Sequence, residues 1–241
     1  METIARMKTR TILASAALIL LDIGLCGAQT ELWGDYYATF RGGEGLTFEV
    51  NPGFSKGMKG ATWLDTYLSG SATYQPLDWL STDGNFEIHY TFDKSTENVL
   101  ELRPWVGINA IWPTFGDYLN LFYPSLSVRL EERFFWYEES GTQDRTTRLR
   151  LRLFTRFPLN YTTLARGTYY LLFLAEIYAS LDGEAREVSS DKRRFQGGLG
   201  YVVDTHLRLE LQYILMRQRN SYTNSYETTS NIIWLAVRNY F

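Results

Sequence analysis

From Arg145 to Phe157 the chain reads Arg-Thr-Thr-Arg-Leu-Arg-Leu-Arg-Leu-Phe-Thr-Arg-Phe, with polar and apolar residues alternating at a period of two from Arg148 to Leu153. In a strand alternate side chains point to opposite faces, so Arg148, Arg150 and Arg152 share one face and Leu149, Leu151 and Leu153 the other. At helical spacing the same arginines would be scattered round the circumference. The sorting recurs along the chain. Phe86, Ile88, Tyr90 and Phe92 oppose Glu87 and His89, while Leu100, Leu102, Val106, Ile108 and Ala110 oppose Glu101, Arg103 and Asn109. Leu126, Val128, Leu130, Phe134 and Trp136 oppose Ser127, Arg129, Glu131 and Arg133, with Glu132 out of place on the apolar side. Leu171, Phe173, Ala175 and Ile177 oppose Glu176, Tyr178 and Ser180; Leu207, Leu209, Leu211 and Tyr213 oppose Arg208, Glu210 and Gln212. The last stretch carries Ile233, Leu235 and Val237 and ends on Phe241.

Turn signals separate these stretches. Gly42-Gly43-Glu44-Gly45, Pro76-Leu77-Asp78-Trp79, Ser140-Gly141 and Asp204-Thr205 predict short connections, and Trp112-Pro113 ends a strand because proline donates no ladder hydrogen bond. Asp182–Lys192 and Asn220–Thr229 predict longer polar loops. Ten strands follow from Gly45 onward, and Glu31–Phe40 is an eleventh strand-like segment. Bacterial single-chain membrane barrels have even strand numbers, which predicts ten or twelve and leaves open whether Glu31–Phe40 lies inside the barrel.

A half-buried soluble sheet also alternates, so length and composition decide between the two. Soluble strands average about five or six residues, whereas these approach the roughly nine to eleven that cross a bilayer at a tilt. Aromatic residues make up 16% of the chain, and Phe134, Trp136, Phe157, Tyr169, Trp234 and Phe241 are assigned to interfacial girdles near strand ends. The fold predicted is an all-β, antiparallel, transmembrane up-and-down barrel of about 10 to 12 strands spanning 29–241. In hydrocarbon an unpaired backbone group costs several kcal/mol, so the sheet must close. A net charge of -3 excludes a general nucleic-acid binder.

Residues 1–28 read as a cleaved signal peptide. Arg6, Lys8 and Arg10 precede an apolar run from Thr11 to Leu21, and Cys26-Gly27-Ala28 offers a small-residue cleavage site. Cleavage there removes the single cysteine and every possibility of an intrachain disulfide. The expected location is the outer membrane of a Gram-negative bacterium. The expected partners are outer-membrane lipid and lipopolysaccharide, together with the barrel-assembly machinery through the strand ending in Phe241. The barrel is expected to be a monomer.

Pro76-Leu77-Asp78-Trp79, Glu101-Leu102-Arg103-Pro104-Trp105, Arg129-Leu130-Glu131-Glu132-Arg133 and Arg148-Leu149-Arg150-Leu151-Arg152, followed by Gly198 to Tyr201, together resemble an uncharacterised family of short bacterial outer-membrane β-barrels, a domain of unknown function. The resemblance covers most of the mature chain and implies fold and location. It carries no activity and no site residues.

The polar faces supply the candidate site. Glu101, Arg103, Arg129, Glu131, Arg133, Arg148, Arg150, Arg152, Glu176, Arg208 and Glu210 are expected to line the lumen, with Glu87, Arg156 and Arg238 beside them. In a narrow barrel such groups pair across neighbouring strands, because an unpaired buried charge is costly. The leading reading is a lumen closed by an Arg/Glu network. The alternative is a small anion-preferring channel, since these bases outnumber these acids and arginine rings select anions. An enzyme is not expected: the only histidines, His89 and His206, fall on the polar face and near a turn, and no nucleophile elbow, phosphate-binding loop or zinc-ligand spacing appears. No cofactor is implied. Gly197-Gly198-Leu199-Gly200 reads as small strand residues that make room for a bulky neighbour.

Overall fold

The computed structural model describes residues 28–58, 60–112, 124–182, 192–219 and 225–241. The signal-peptide assignment, the core of the polar stretch Asp182–Lys192 and the first half of Asn220–Thr229 fall outside them. Eleven strands are present among the described residues: β1 (Gln29–Gly43), β2 (Leu46–Gly57), β3 (Trp63–Leu77), β4 (Leu80–Asp93), β5 (Val99–Ile111), β6 (Ser125–Tyr137), β7 (Gln143–Pro158), β8 (Tyr169–Ser180), β9 (Lys192–Val202), β10 (Leu207–Arg219) and β11 (Tyr226–Tyr240). Each is 11 to 16 residues long, at or beyond what a tilted crossing of a bilayer needs. Tyr226–Thr229, expected in a loop, belongs to β11.

The strands form a closed barrel in which sequence neighbours pair antiparallel and β1 pairs with β11. The even strand number expected from the sequence is therefore corrected to eleven. Glu31–Phe40 is part of the wall, and an odd number makes the first and last strands point the same way. That junction is the one parallel pair among the described residues, running from Gln29↔Ser230 to Thr39↔Tyr240. Parallel ladders are slightly weaker per residue than antiparallel ones, and here the seam is backed from inside by a cluster of Ile214, Ile232, Trp234 and Ala236, with Trp33 packed against it. Trp234, assigned to a membrane-facing girdle by sequence, thus lies in mid-strand and points inward, 8% exposed. Its even position on β11 puts it opposite Ile233 and Leu235, which point out.

The register fixes the slant of the strands. Partners followed from Asp35 through Gly53, Tyr67, His89, Glu101 and Phe135 reach Asp144 on β7. Followed the other way, through Ala236, Glu210, Gly200 and Tyr170, they reach Pro158, fourteen residues further along the same strand. A shear of that size over eleven strands corresponds to a tilt of roughly 40–45°.

Glycine supplies room inside. A Cβ on Gly200 would lie 2.1 Å from the Tyr170 ring, and one on Gly53 would lie 2.4 Å from that of Tyr67. These absent side chains let two inward tyrosines approach the neighbouring strand closely; the room at Gly200 is what the glycine-rich stretch of β9 predicts, while that at Gly53 was not anticipated. On the outside, all eleven strands contribute exposed apolar side chains, among them Phe40, Phe54, Leu68, Ile88, Val106, Leu130, Leu151, Phe173, Phe195, Leu211 and Leu235. Val106 is 61% exposed and Ile108 57%. Hydrophobic side chains face out and charged ones face in, the reverse of a water-soluble barrel.

Candidate functional site

Alternation that sends Leu149, Leu151 and Leu153 outward sends Arg148, Arg150 and Arg152 inward, and the same parity places every sequence-predicted site residue on the inner wall. Four glutamates organise them. Glu131, fully buried, accepts from Arg150 Nη1 at 2.7 Å, pairs with Arg148 and lies 3.7 Å from Arg103 Nε. Glu101 accepts from the Nε atoms of Arg103 and Arg133, each at 2.7 Å. Glu176 accepts from Arg150 at 2.9 Å and Arg152 at 3.2 Å, with Arg194 at 3.9 Å and the Tyr178 hydroxyl donating to its other oxygen. Glu210 accepts from Arg238 at 3.0 Å and from the Tyr170 hydroxyl at 2.7 Å. Each carboxylate joins two or more strands, so the ion pairs fix register as well as charge. Arg208 sits apart, its guanidinium over the Tyr240 ring near the strand end.

The network does not fill the barrel. A lumenal cavity of about 630 Å³ remains, walled by residues of all eleven strands. Its lining holds nine arginines and Lys192 against seven acids, and Glu101, Glu131 and Glu176 are buried inner-wall carboxylates just behind it. The interior is therefore close to neutral, because the sequence count omitted Glu31, Asp35, Glu49, Asp65 and Asp83 on β1 to β4. Alternation in β2 and β3 is blurred by serine, threonine and glycine, Asp83 lies before the alternating run of β4 that begins at Phe86, and β1 had no assigned place. The signal that could have found them is their shared parity with Ser55, Ser69 and Asn85, all of which also line the cavity.

The charges are balanced but divided. None of Glu31, Asp35, Glu49 and Asp83 forms a direct ion pair with arginine or lysine among the described residues; neutral donors hold them, and Arg238, bonded to Glu210, acts on Asp35 and Glu49 only from further off. Tyr67 and Asn51 donate to Asp35, Thr39 donates to Glu49, Asn109 to Asp83 and Trp33 to Glu31. Across the lumen the reverse holds at Arg129. Its guanidinium lies 3.4 Å over the Trp105 ring and has no hydrogen bond or ion pair among the described residues, and its direct cross-strand partner is another arginine, Arg150. The shear amounts to about 1.3 residues per strand step. With that correction Asp35 on β1 comes level with Arg129 on β6 and Arg152 on β7, the two strands diametrically across from it.

His89 lies in the lumen between Asp65, 3.1 Å from Nδ1, and Glu87, 3.2 Å from Nε2, with the Tyr67 ring stacked on it. Ser55 donates to the same Asp65. The carboxylate thus stands between hydroxyl and imidazole, whereas activating a serine requires the imidazole in the middle. His206 occupies the exposed β9–β10 turn beside Thr205. Glu132, the anomaly of the apolar face, points outward and pairs with Arg145 and Thr147 toward one end of β6 and β7.

These features define a closed β-barrel with an apolar exterior and a charged, partly open interior. The chain belongs to the family described as "Protein of unknown function (DUF2490)", whose profile matches residues 30–227, in keeping with the resemblance carried by its strand motifs. No curated protein matches the chain. Among solved structures it is similar to one titled "NanC porin structure in rhombohedral crystal form", with 12% identity over 83% of this chain and 95% of that one and a TM-score of 0.45.

Proposed function

We propose that the protein is an outer-membrane β-barrel of a Gram-negative bacterium, and that its Arg/Glu network walls a narrow, water-filled passage for small solutes. The observation that carries the reading is the inversion of the wall: apolar residues face out on all eleven strands around a charged interior. A soluble monomer rarely exposes a contiguous apolar patch above a few hundred Å², and a bilayer removes that cost. The segment before β1 is then the export signal, and the strand ending in Phe241 the contact for the assembly machinery. Phe241 stacks on Phe40 with ring centroids 5.0 Å apart, which ties the chain end to the outer face of β1.

The passage reading is favoured over a lumen closed by its own side chains because the ion pairs leave about 630 Å³ free. Balanced interior charge favours weak ion selectivity over anion preference, since rings of a single sign are what select. Purified protein in planar bilayers tests both points. Discrete conductance steps with similar anion and cation permeability are expected. No conductance would leave a structural barrel, and strong anion preference would restore the channel first read from the arginines.

A further inference from the structure

Arg129 combines features that the paired arginines lack. Its guanidinium carbon lies over the Trp105 ring, 3.4 Å from the centroid, so it is positioned without using its N–H donors, and a planar fork of free donors fits a carboxylate. Two more arginines stand beside it: Arg150 directly across the β6–β7 ladder, and Arg152, whose Nε is bonded to Glu176. Like charges placed opposite one another on a sheet repel, and an anionic group arriving here relieves that repulsion.

On the facing wall, at the same level, Asp35 is a buried carboxylate held by Tyr67 and Asn51 and forming no direct ion pair among the described residues; Arg238, the nearby cation on β11, is itself bonded to Glu210. A simple anion gains at Arg129 and is opposed by this wall; a simple cation meets the reverse. Only a solute carrying both charges at separate ends is favoured by both.

We propose that the middle of the lumen is a subsite for small zwitterions, with the carboxylate on Arg129 and Arg152 and the ammonium toward Asp35. The inference rests on the reading of the lumen as water-filled. Trp105 lies at the site and reports occupancy by its fluorescence. Full-length protein in detergent is titrated with 6-aminohexanoate, and with hexanoate and hexylamine as probes of matching length that carry one charge each.

The zwitterion is expected to bind about tenfold more tightly than either probe, one decade in Kd. Arg129→Gln, which breaks no ion pair, is expected to remove that advantage, and Asp35→Asn to weaken 6-aminohexanoate while sparing hexanoate. If Asp35→Asn fails to give a heat-modifiable barrel, the three-probe comparison on unaltered protein still decides. Hexanoate binding as tightly as 6-aminohexanoate would reduce the site to a plain anion site and overturn the proposal. Conductance in bilayers with no binding of any probe would also overturn it and leave the passage intact, whereas absence of both would remove the passage as well.

Discussion

Trp33 on β1 and Trp234 on β11 meet edge to face across the parallel seam, their ring centroids 6.4 Å apart at 69°. Both indoles point into the lumen and pack with Ile232 and Ala236, so the junction with the weaker ladder carries the barrel's main internal apolar cluster. Aromatic pairs of this geometry contribute about 0.5–1.5 kcal/mol beyond area burial. A double-mutant cycle of Trp33→Leu and Trp234→Leu, read by barrel unfolding, should return a coupling in that range.

The seam register predicts a crosslink. Ala38 and Asn239 are direct partners on the β1–β11 ladder, and adjacent strands bring Cα atoms within disulfide range. Ala38→Cys with Asn239→Cys should form an intrachain disulfide under mild oxidation, seen as a mobility shift reversed by reductant. A β1 standing outside the wall would give none.

Glu131 is fully buried and pairs with Arg103, Arg148 and Arg150. Removing one partner of a buried network leaves uncompensated charge, at a cost of about 3–5 kcal/mol. Glu131→Gln should unfold at markedly lower denaturant than wild type. Glu49→Gln, whose partner is the neutral hydroxyl of Thr39, should change little by comparison.

Gly200→Ala would bring a methyl group to 2.1 Å from the ring of Tyr170, which is wholly buried and donates to Glu210 at 2.7 Å. Overpacking of this kind costs about 1–3 kcal/mol. Tyr170→Leu introduced with it should relieve the clash and recover part of that loss, measured by the same unfolding assay.

In the β9–β10 turn the backbone N–H groups of His206 and Leu207 donate to Asp204 at 2.7 and 2.9 Å and hold its carboxyl below the usual carboxylate range. A depressed pKa in the folded turn means that its contribution is present above the ordinary Asp range and is lost as pH falls through the lowered value. Hydrogen exchange at the His206 and Leu207 amides, corrected for intrinsic rate, should stay slow at neutral pH and speed up in acid. Asp204→Ala should make it fast throughout.

Much of the wall was legible because a period of two leaves no alternative once both faces are strongly marked. Arg148 to Leu153 states its parity residue by residue, and β4, β5, β6, β8 and β10 do the same. Reading failed where marking was weak. On β2 and β3 small polar residues fill much of the inner face, and on β1 Trp33 and Tyr37 share it with the acids, so Glu31, Asp35, Glu49 and Asp65 did not stand out against a clean apolar partner face. Trp234 was misplaced because an aromatic residue on a membrane barrel has two good locations, and local sequence does not choose between them.

By itself the sequence determined which side chains share a face, roughly how many strands there are and that the charged faces meet inside, because alternation is local and each residue carries it. Closure decided the rest. Whether β1 joins the wall, whether the seam is parallel and which charge stands across from which depend on the strand count and the fourteen-residue shear, properties of the whole sheet that no single stretch records. Arg129 and Asp35 lie far apart along the chain, and only the circumference of the barrel sets them face to face.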